Sequence, residues 1–242
     1  GWDVIIDLGL FDRKGDRYMS NTLLANSINS RTKPAKGSVI YSDTFELDGC
    51  SYAINNGKTG TDGVREDILY AGIRQLEAML SYHNKVYQVR LESHSPLYEA
   101  DNALFAQMLR RLKKWLRGKG HKRAAYLWVR ERETAKQYHY HLVIWLDGNI
   151  IRSPDSVYRR WEELHQQCGH SPTYWVKLTP MIHRCRPESV SCAVYIFSYL
   201  CKERGKGYGD RYSRDFSVSL IHQKSGLATD SVAINFDPFR GV

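Results

Sequence analysis

The chain has 242 residues, of which 42% are apolar and 25% are charged, a balance typical of folded soluble domains and not of disordered ones. This length favours one large domain, with or without an appendage, over two equal domains. No apolar run approaches the ~18 residues of a membrane span, and the first residues resemble no signal peptide. We therefore expect a cytosolic protein without a membrane partner.

Positive charge is concentrated in the second part of the chain. The net charge is +9, yet residues 1–64 hold 7 basic and 8 acidic residues, which leaves 28 basic and 18 acidic residues for 65–242. This asymmetry favours a polyanionic partner for the second part. Five cysteines without a C-x-x-C pair argue against a disulfide scaffold or a zinc ribbon. We divide the chain into an N-terminal extension of unknown role, 1–64, and a domain at 65–242.

Hydrophobic periodicity and turn residues predict the secondary structure. Within the N-terminal extension, the pattern predicts short strands at 4–8, 38–41 and 51–54. From residue 64 onward, the elements predicted in chain order are a helix at 64–82, a strand at 86–92, a helix at 101–118, strands at 124–131 and 138–146, a helix at 153–168, a strand at 173–182 and a helix at 187–202.

The order between residues 86 and 182 is β-α-β-β-α-β. This order predicts an α+β fold of the ferredoxin-like (RRM-like) type, in which both crossover helices pack on one face of an antiparallel sheet. We expect the other face to be free, with the helix at 187–202 following the sheet. Because this fold hosts many unrelated functions, the function has to be argued from particular residues.

Two histidines stand out on the strand at 138–146. Side chains alternate along a strand, so His139 and His141 project from the same face about 6.5–7 Å apart, a spacing at which two imidazoles can bind one cation. The other face of this strand is apolar and suits a core: Tyr140, Leu142, Ile144 and Leu146.

A carboxylate close to the two histidines could complete a metal site. The preceding strand ends at Glu131, and Glu133 follows in the connection between the strands. We prefer Glu131 as the third ligand because it belongs to the strand, although Glu133 stays possible. Two imidazoles and one carboxylate suit Mg²⁺ or Mn²⁺ as well as softer metals.

The last predicted helix carries two tyrosines and a lysine at helical spacing. Tyr195 and Tyr199 are four residues apart and Lys202 is three beyond, so the three polar groups line one side of a helix. A metal that polarises a phosphate beside a phenol is suited to covalent phosphoryl transfer. The alternative is that the tyrosines only pack and the lysine is only solvated.

These residues, in this order, resemble the HUH endonuclease superfamily of rolling-circle replication initiators, relaxases and related transposases. The resemblance covers about residues 85–222. It is carried by Trp128-Val129-Arg130-Glu131, His139-Tyr140-His141 and Ser198-Tyr199-Leu200-Cys201-Lys202. These segments are most similar to the replication initiators of filamentous phages and their prophage-encoded relatives. The first motif strand of those initiators would lie at 86–91.

The resemblance implies the HUH endonuclease fold and a metal-dependent nick in single-stranded DNA that leaves a 5′-phosphotyrosine and a free 3′-OH. By matching position, His139 and His141 would bind Mg²⁺ or Mn²⁺ together with Glu131. Tyr199 would be the nucleophile, and Lys202 its electrostatic helper.

The resemblance also extends to the second tyrosine and to partners. Tyr195 is similar to the second nucleophile of the two-tyrosine members, in which alternating nucleophiles release unit-length circles. The implied substrate is single-stranded or origin DNA, the implied process is rolling-circle replication of a phage, prophage or mobile element in a bacterial cytoplasm, and a host helicase is a candidate partner.

Basic residues indicate where DNA could bind. Residues 102–130 contain nine basic residues and no acidic ones, including Arg110, Arg111 and Lys114 on the polar face of a predicted helix. This face suits phosphate contacts, or it is simply solvated. The loop that follows the last predicted helix mixes cations, glycines and aromatic residues. It suits the binding of single-stranded DNA, or it is only a mobile surface loop. Its candidate contacts are Arg204, Lys206, Arg211 and Arg214.

Two other functions fit parts of the pattern. A non-catalytic RRM-like nucleic-acid-binding domain shares the β-α-β-β-α-β order, although the Lys/Arg-Gly-Phe/Tyr-Gly/Ala-Phe signature of that module is absent from the sequence. A metallohydrolase would use the histidine pair without the tyrosine. Covalent capture of cut DNA distinguishes the three.

Overall fold

The computed structural model describes residues 33–94, 101–132, 138–168, 174–206 and 214–225. The strand predicted at 4–8 lies outside these ranges. In the described part, the fold is α+β, with four α-helices and a five-stranded antiparallel sheet.

Four short strands precede the first helix. They are β1 (Val39–Ile40), β2 (Thr44–Leu47), β3 (Cys50–Ala53) and β4 (Val64–Arg65). β1 pairs with β4 and β2 pairs with β3, both antiparallel. The β2–β3 turn is Asp48-Gly49, and both residues have positive φ, 51° and 78°, as a tight two-residue hairpin turn requires.

The remaining elements form the main body of the protein. They are α1 (Glu66–Tyr82), β5 (Lys85–His94), α2 (Ala103–Gly118), β6 (Ala124–Glu131), β7 (His139–Asp147), α3 (Asp155–Gln167), β8 (Met181–His183), α4 (Pro187–Ser198) and β9 (Phe216–Val218). A 3₁₀ turn, Tyr199–Cys201, extends α4. Apart from the end of the last helix, the predicted helices and the strands β5, β6 and β7 are confirmed to within a few residues.

The main sheet has the strand order β8-β5-β7-β6-β9. The ladder between β5 and β7 runs from Val86 opposite Asp147 to His94 opposite His139, and Glu131 of β6 also lies opposite His139. The end of β5, the start of β7 and the end of β6 therefore meet at one end of the sheet.

One face of the sheet packs against α2 and α3 in a hydrophobic cluster, which we call the α2–α3 cluster. As predicted, Tyr140 and Leu142 lie in this cluster. Phe105 of α2 stacks on the Tyr140 ring with 4.3 Å between centroids, and Trp161 of α3 meets Phe105 edge-on at 6.0 Å. Aromatic packing thus joins both crossover helices to the central strand.

The expectation that the other face is free is wrong, because α1 and α4 cover it. Both helices have apolar residues that need burial, and these pack with the sheet in a second cluster, the α1–α4 cluster. Phe197 of α4 meets Trp145 of β7 edge-on at 5.4 Å. Gly72 lets α1 approach α4 closely, since a Cβ at this position would lie 2.7 Å from the Phe197 ring.

The segment before residue 64 contributes to the same core. Phe45 and Leu47 of β2 are buried in the α1–α4 cluster, as are Tyr52 and Ile54 from β3 and the residue after it. The part of the N-terminal extension that the structure describes therefore packs against the main domain.

Two predicted boundaries are wrong. The strand expected at 173–182 is only β8, with residues 174–180 outside any strand, and Pro180 just before β8 has no N–H to donate to a ladder. The last α-helix ends at Ser198, not at residue 202, and continues as the 3₁₀ turn. None of the helices in the described ranges is both long and apolar enough to cross a lipid bilayer.

Candidate functional site

His139 and His141 lie on one face of β7, a central strand of the sheet. Tyr140 and its neighbour Leu142 are buried in the α2–α3 cluster, whereas Trp145, in the same row as the histidines, is buried in the α1–α4 cluster. The alternation predicted for this strand is confirmed. The histidines therefore form one polar end of a row whose middle, Val143 and Trp145, is apolar.

His141 lies between two carboxylates. Its Nδ1 is 3.3 Å from Glu92 Oε1, an ion-pair contact without hydrogen-bond alignment, and its Nε2 is 3.2 Å from Glu131 Oε2. Burial lowers the pKa of His141, but the contacts with Glu131 and Glu92 outweigh burial and raise it. The two carboxylates therefore favour positive charge at the position of the imidazole between them.

Both carboxylates are held in the ionised form. Burial raises the pKa of Glu131, but the hydrogen bond with His141 and the charge of Lys206 lower it to about 2. Burial also raises the pKa of Glu92, and its contacts with His141, His94 and Arg90 lower it well below the usual range. Two negative charges thus persist at this end of the sheet at neutral pH.

Lys206 belongs to this cluster. Its Nζ lies 2.7 Å from Glu131 Oε1 and also donates to the backbone oxygen of Lys202, and the side chain is buried. The loop is held against β6 because Arg132 N donates to the Gly205 carbonyl at 2.8 Å. The structure thus places Lys206 against Glu131, and its predicted contact with DNA stays a prediction.

The end of β5 supplies three residues that the sequence analysis missed. Arg90, Glu92 and His94 alternate along the strand and share the face of the two histidines. Arg90 Nη2 is 2.8 Å from Glu92 Oε1, and the His94 ring stacks on His139 with 4.2 Å between centroids. The signal was present in the sequence, since three ionisable residues stand at alternate positions near the end of the strand.

Tyr199 lies beside this cluster, at the start of the 3₁₀ turn. It is 40% exposed, although its neighbours Leu200 and Cys201 are fully buried. Two cations flank its ring: Lys202 Nζ is 4.4 Å from the centroid, and the Arg90 guanidinium carbon is 5.1 Å from it. The structure therefore brings Tyr199 and Lys202 together, as the spacing predicted.

Lys202 also has an acidic partner that the sequence analysis missed. Asp62 Oδ2, just before β4, is 3.0 Å from Lys202 Nζ. A bridge between the backbones of Val64 and Lys202 brings these two segments together. The segment before α1 thus reaches the site through Asp62.

Tyr195 differs from Tyr199 in its surroundings. It lies one turn earlier, within α4, and is half-buried. Its backbone carbonyl accepts a hydrogen bond from Ser198 Oγ at 2.8 Å, at the point where the α-helix ends. The backbone is α-helical from Tyr195 through Ser198 and tightens only from Tyr199 onward, so the two tyrosines keep their spacing of about one turn.

The predicted DNA contacts on α2 lie away from this cluster. Arg110, Arg111 and Lys114 are exposed on α2, whose apolar side packs on the face of the sheet opposite His141. Trp115 is half-buried beside them, and Lys119 Nζ lies 5.7 Å from its ring. These residues therefore cannot hold the same phosphate group as the histidines.

The remaining predicted contacts flank the loop after the 3₁₀ turn. Arg204 and Arg214 are both exposed, and the backbone carbonyl of Arg214 accepts a hydrogen bond from Asn102 Nδ2 at 3.1 Å. Arg211 and the alternative ligand Glu133 lie outside the described residues. The structure thus leaves two exposed arginines close in sequence to the cluster.

The donor chemistry of the cluster fits a divalent cation. His139, His141 and Glu131 offer nitrogen and oxygen donors, Glu92 adds a second negative charge, and the His141 imidazole lies between the two carboxylates. Within the described ranges, however, no three His, Cys, Asp or Glu side chains are arranged to hold a metal ion as they stand. Metal binding would require His141 to lose its proton and Glu131 to loosen from Lys206.

Comparison with known proteins places the chain in a family. Residues 82–204, about half of the chain, match the model of a family of replication-associated proteins, the ORF2 type. This match spans β5 to the 3₁₀ turn and includes the histidines, Glu131, Tyr199 and Lys202. No curated protein and no solved structure matches the chain. The chain belongs to the replication-associated protein ORF2 family.

Proposed function

We propose that this protein is an HUH-type DNA endonuclease and strand transferase. It nicks single-stranded DNA at a specific site through a 5′-phosphotyrosine intermediate, and so initiates rolling-circle replication of a phage, prophage or mobile element in a bacterial cytoplasm. The observation that carries the proposal is an exposed Tyr199 packed against two cations beside the His141 cluster. Membership of a replication-associated family agrees with it.

The order of the strands supports a ferredoxin-like HUH fold. Four strands and two helices follow one another as β5-α2-β6-β7-α3-β8, and these strands lie side by side as β8-β5-β7-β6. That is the split β-α-β arrangement, with β9 added beyond β6. In this proposal, α1 and α4 close the second face and leave only its polar end open.

In the proposed reaction, the phenolic oxygen of Tyr199 attacks the phosphorus of a phosphodiester. The bond between this oxygen and phosphorus forms, the bond between phosphorus and the 3′ oxygen breaks, and the electron pair stays on the 3′ oxygen. The phenol loses its proton to solvent, and the leaving oxygen takes one up as the free 3′-OH. Lys202 stabilises negative charge close to Tyr199, since its ammonium lies against the ring.

A bound Mg²⁺ or Mn²⁺ belongs to the proposal, with His139, His141 and Glu131 as ligands. When bound, the ion supplies Lewis-acid polarisation of a non-bridging phosphate oxygen. Glu92 lies near the Nδ1 side of His141, and the Nε2 side is directed towards Glu131.

Tyr195 is the proposed second nucleophile. After the first cut, it would accept the 5′ phosphate of a later nick, so that a unit-length circle is released. It is half-buried and lies one turn before the exposed Tyr199, so we expect it to be the less accessible of the two nucleophiles.

DNA binding divides between two parts of the surface in this proposal. Arg204 and Arg214 bind the single strand that enters the site, whereas Arg110, Arg111 and Lys114 bind phosphates of the flanking origin DNA behind the sheet. A host helicase would act on the strand that is displaced after the nick.

The experiment is a search for a covalent adduct. The full chain is incubated with Mn²⁺ or Mg²⁺ and pooled single-stranded oligonucleotides, and a protein–DNA species that survives denaturation is sought, with Tyr199→Phe as the control. An adduct with the parent chain alone supports the proposal. Binding without cutting favours an RRM-like domain, and cutting without an adduct favours a metallohydrolase; either result overturns the phosphotyrosine mechanism.

A further inference from the structure

Arg90 is a charged residue in the middle of the sheet. It lies on β5 opposite Val143, on the face of the histidines, and its side chain is 15% exposed. Its guanidinium carbon is 5.1 Å from the centroid of the Tyr199 ring, and its Nη2 is 2.8 Å from Glu92 Oε1. Arg90 thus links the tyrosine to the carboxylate that contacts His141.

The contacts of Arg90 leave one of its donors without a partner. Arg90 Nε is buried and has no hydrogen-bond partner among the residues that the structure describes. A buried donor without an acceptor is costly, and in native proteins such groups are rare and call for an explanation. An acceptor that arrives with the substrate explains this one.

The nature of that acceptor follows from the neighbouring groups. Arg90 and Lys202 both lie against the ring of Tyr199, so two cations, each also paired with a carboxylate, meet at one phenol. A guanidinium presents a planar set of donors that matches phosphate oxygens, and it stays protonated at every relevant pH. The chemistry therefore selects a phosphate diester over a neutral ligand.

We propose that Arg90 is a further catalytic residue, which donates from Nε to a non-bridging oxygen of the scissile phosphate while Tyr199 attacks it. This inference rests on the proposed nickase function. The bond changes are those given above; Arg90 transfers no proton and stabilises the negative charge that builds up on the phosphate oxygens. Glu92 keeps the guanidinium beside the tyrosine through the ion pair to Nη2.

The test compares Arg90 with a matched arginine elsewhere in the molecule. Arg74 of α1 also lies 5.1 Å from a tyrosine ring, that of Tyr70, and pairs with the carboxylates of Asp48 and Glu77. Arg90→Ala, Arg90→Lys and Arg74→Ala are made in the full chain. For each, the adduct-forming rate at saturating oligonucleotide and Mn²⁺, the dissociation constant for the same oligonucleotide and the melting temperature are measured.

We expect Arg90→Ala to slow adduct formation about 10²–10³-fold, the usual loss when one donor to a developing oxyanion is removed, while oligonucleotide affinity changes only a few-fold. Arg90→Lys regains part of the adduct-forming rate. Added guanidinium ion partly restores the rate of Arg90→Ala and does not change the rate of Arg74→Ala. A rescued rate excludes a merely structural role, even if Arg90→Ala lowers the melting temperature.

Three results would overturn the inference. Adduct formation at the parental rate in Arg90→Ala removes Arg90 from the reaction while the nickase function stands. A rate loss matched by Arg74→Ala, without rescue by lysine or guanidinium, assigns Arg90 to stability alone. If the parent chain forms no adduct with any oligonucleotide, the nickase proposal fails and the inference falls with it.

Discussion

The two faces of the central strand β7 differ in a way that separates stability from chemistry. On the face towards α2 and α3, every side chain from Tyr140 to Leu146 is at most 1% exposed and lies among apolar neighbours. On the opposite face, Trp145 and Val143 are equally buried and apolar. The next residue on that face, His141, instead contacts the carboxylate of Glu131. One strand therefore serves a core on one side and a polar cluster on the other.

The ion pairs of the polar cluster are weak evidence for a role in stability. Its ion pairs connect Arg90, Glu92, His141, Glu131 and Lys206 within a few residues of the sheet end. Ion pairs that are largely removed from water recover little more than the cost of desolvating their charges, and apolar residues of similar volume stabilise as well. Charges concentrated at the end of an otherwise apolar face therefore indicate a function for that end.

The largest expected effect tests the polar end alone. Tyr199→Phe removes only a hydroxyl from a partly exposed ring, so we expect complete loss of the covalent adduct with unchanged folding and oligonucleotide binding. Tyr195→Phe still forms the first adduct but yields no circular product if the two tyrosines alternate. The measurements are denaturing gels and peptide mapping of the adduct; DNA mapped to Tyr195 alone contradicts the assignment.

The next effect concerns the metal. Chelation, or His141→Ala, is expected to lower cleavage by about 10³-fold or more, since a metal contributes several kcal/mol of charge stabilisation at a phosphate. Binding of the oligonucleotide persists because it depends on phosphate contacts made elsewhere. Cleavage rates and fluorescence anisotropy measure the two quantities.

The control for the histidine variant is the exposed His222→Ala, which lies outside the cluster. Its cleavage rate is expected to equal that of the parent chain. Undiminished nicking by His141→Ala after metal removal would remove the histidines from the proposed mechanism.

The apolar face predicts the opposite behaviour. Phe105→Ala deletes a ring that packs on Tyr140, Trp128 and Trp161, so we expect a loss of about 3–5 kcal/mol in the free energy of unfolding. Adduct formation per folded molecule stays unchanged at a temperature where the variant is folded. Denaturant unfolding and an activity assay on the same sample check both statements; a rate loss without a stability loss would contradict the division between the faces.

Much of the fold could be predicted because it depends on local periodicity. The stripe on α2 and the alternation on β6 and β7 are repeated over several turns or residues, and both patterns identify their elements. The β-α-β-β-α-β order could not predict that α1 and α4 cover the second face, because this packing involves elements outside that unit. β9 has only three residues and pairs with β6 from a distance in sequence, so no local pattern identifies it.

The candidate site was predicted where its members share a strand or a turn. His139, His141 and Glu131 follow from alternation and from a hairpin, which places neighbours in sequence side by side. Glu92 and Arg90 reach the same cluster through the ladder between β5 and β7, whose partners lie about fifty residues apart, and a register of that kind is not visible in one sequence. The buried position of Lys206 likewise depends on tertiary contacts.

A smaller effect sharpens the polar side of the comparison. If Glu131 is the third ligand, Glu131→Ala is expected to weaken Mn²⁺ binding about 10–100-fold, because it removes a donor beside His141. Glu133→Ala, two residues later, is the control and is expected to change the affinity less. Titration with Mn²⁺ followed by electron paramagnetic resonance gives both affinities, and the reverse ranking would transfer the ligand role to Glu133.

The smallest expected effect concerns a hydrogen bond that connects the α2–α3 cluster to the strand of Glu92. Trp161 of α3 is fully buried in the α2–α3 cluster, yet its indole Nε1 donates to the backbone oxygen of Glu92 at 2.7 Å. Trp161→Phe removes this hydrogen bond and part of the ring, so we expect a loss of about 1–2 kcal/mol in the free energy of unfolding. Through this hydrogen bond, the apolar face contributes to the position of β5, the strand that carries Glu92.

The control for this last variant is Trp175→Phe. Trp175 Nε1 donates to the Glu162 side chain at 2.6 Å and its ring stacks on Tyr158, but it is only half-buried and its indole bonds to α3, not to the backbone of β5. If the hydrogen bond to Glu92 helps to position the site, Trp161→Phe slows adduct formation about two- to fivefold at saturating metal, a range equivalent to ~0.4–1 kcal/mol, whereas Trp175→Phe leaves the rate unchanged. Equal rates for both variants would mean that the two faces of the sheet act independently, because the aromatic core would then stabilise β5 without adjusting the groups at its end.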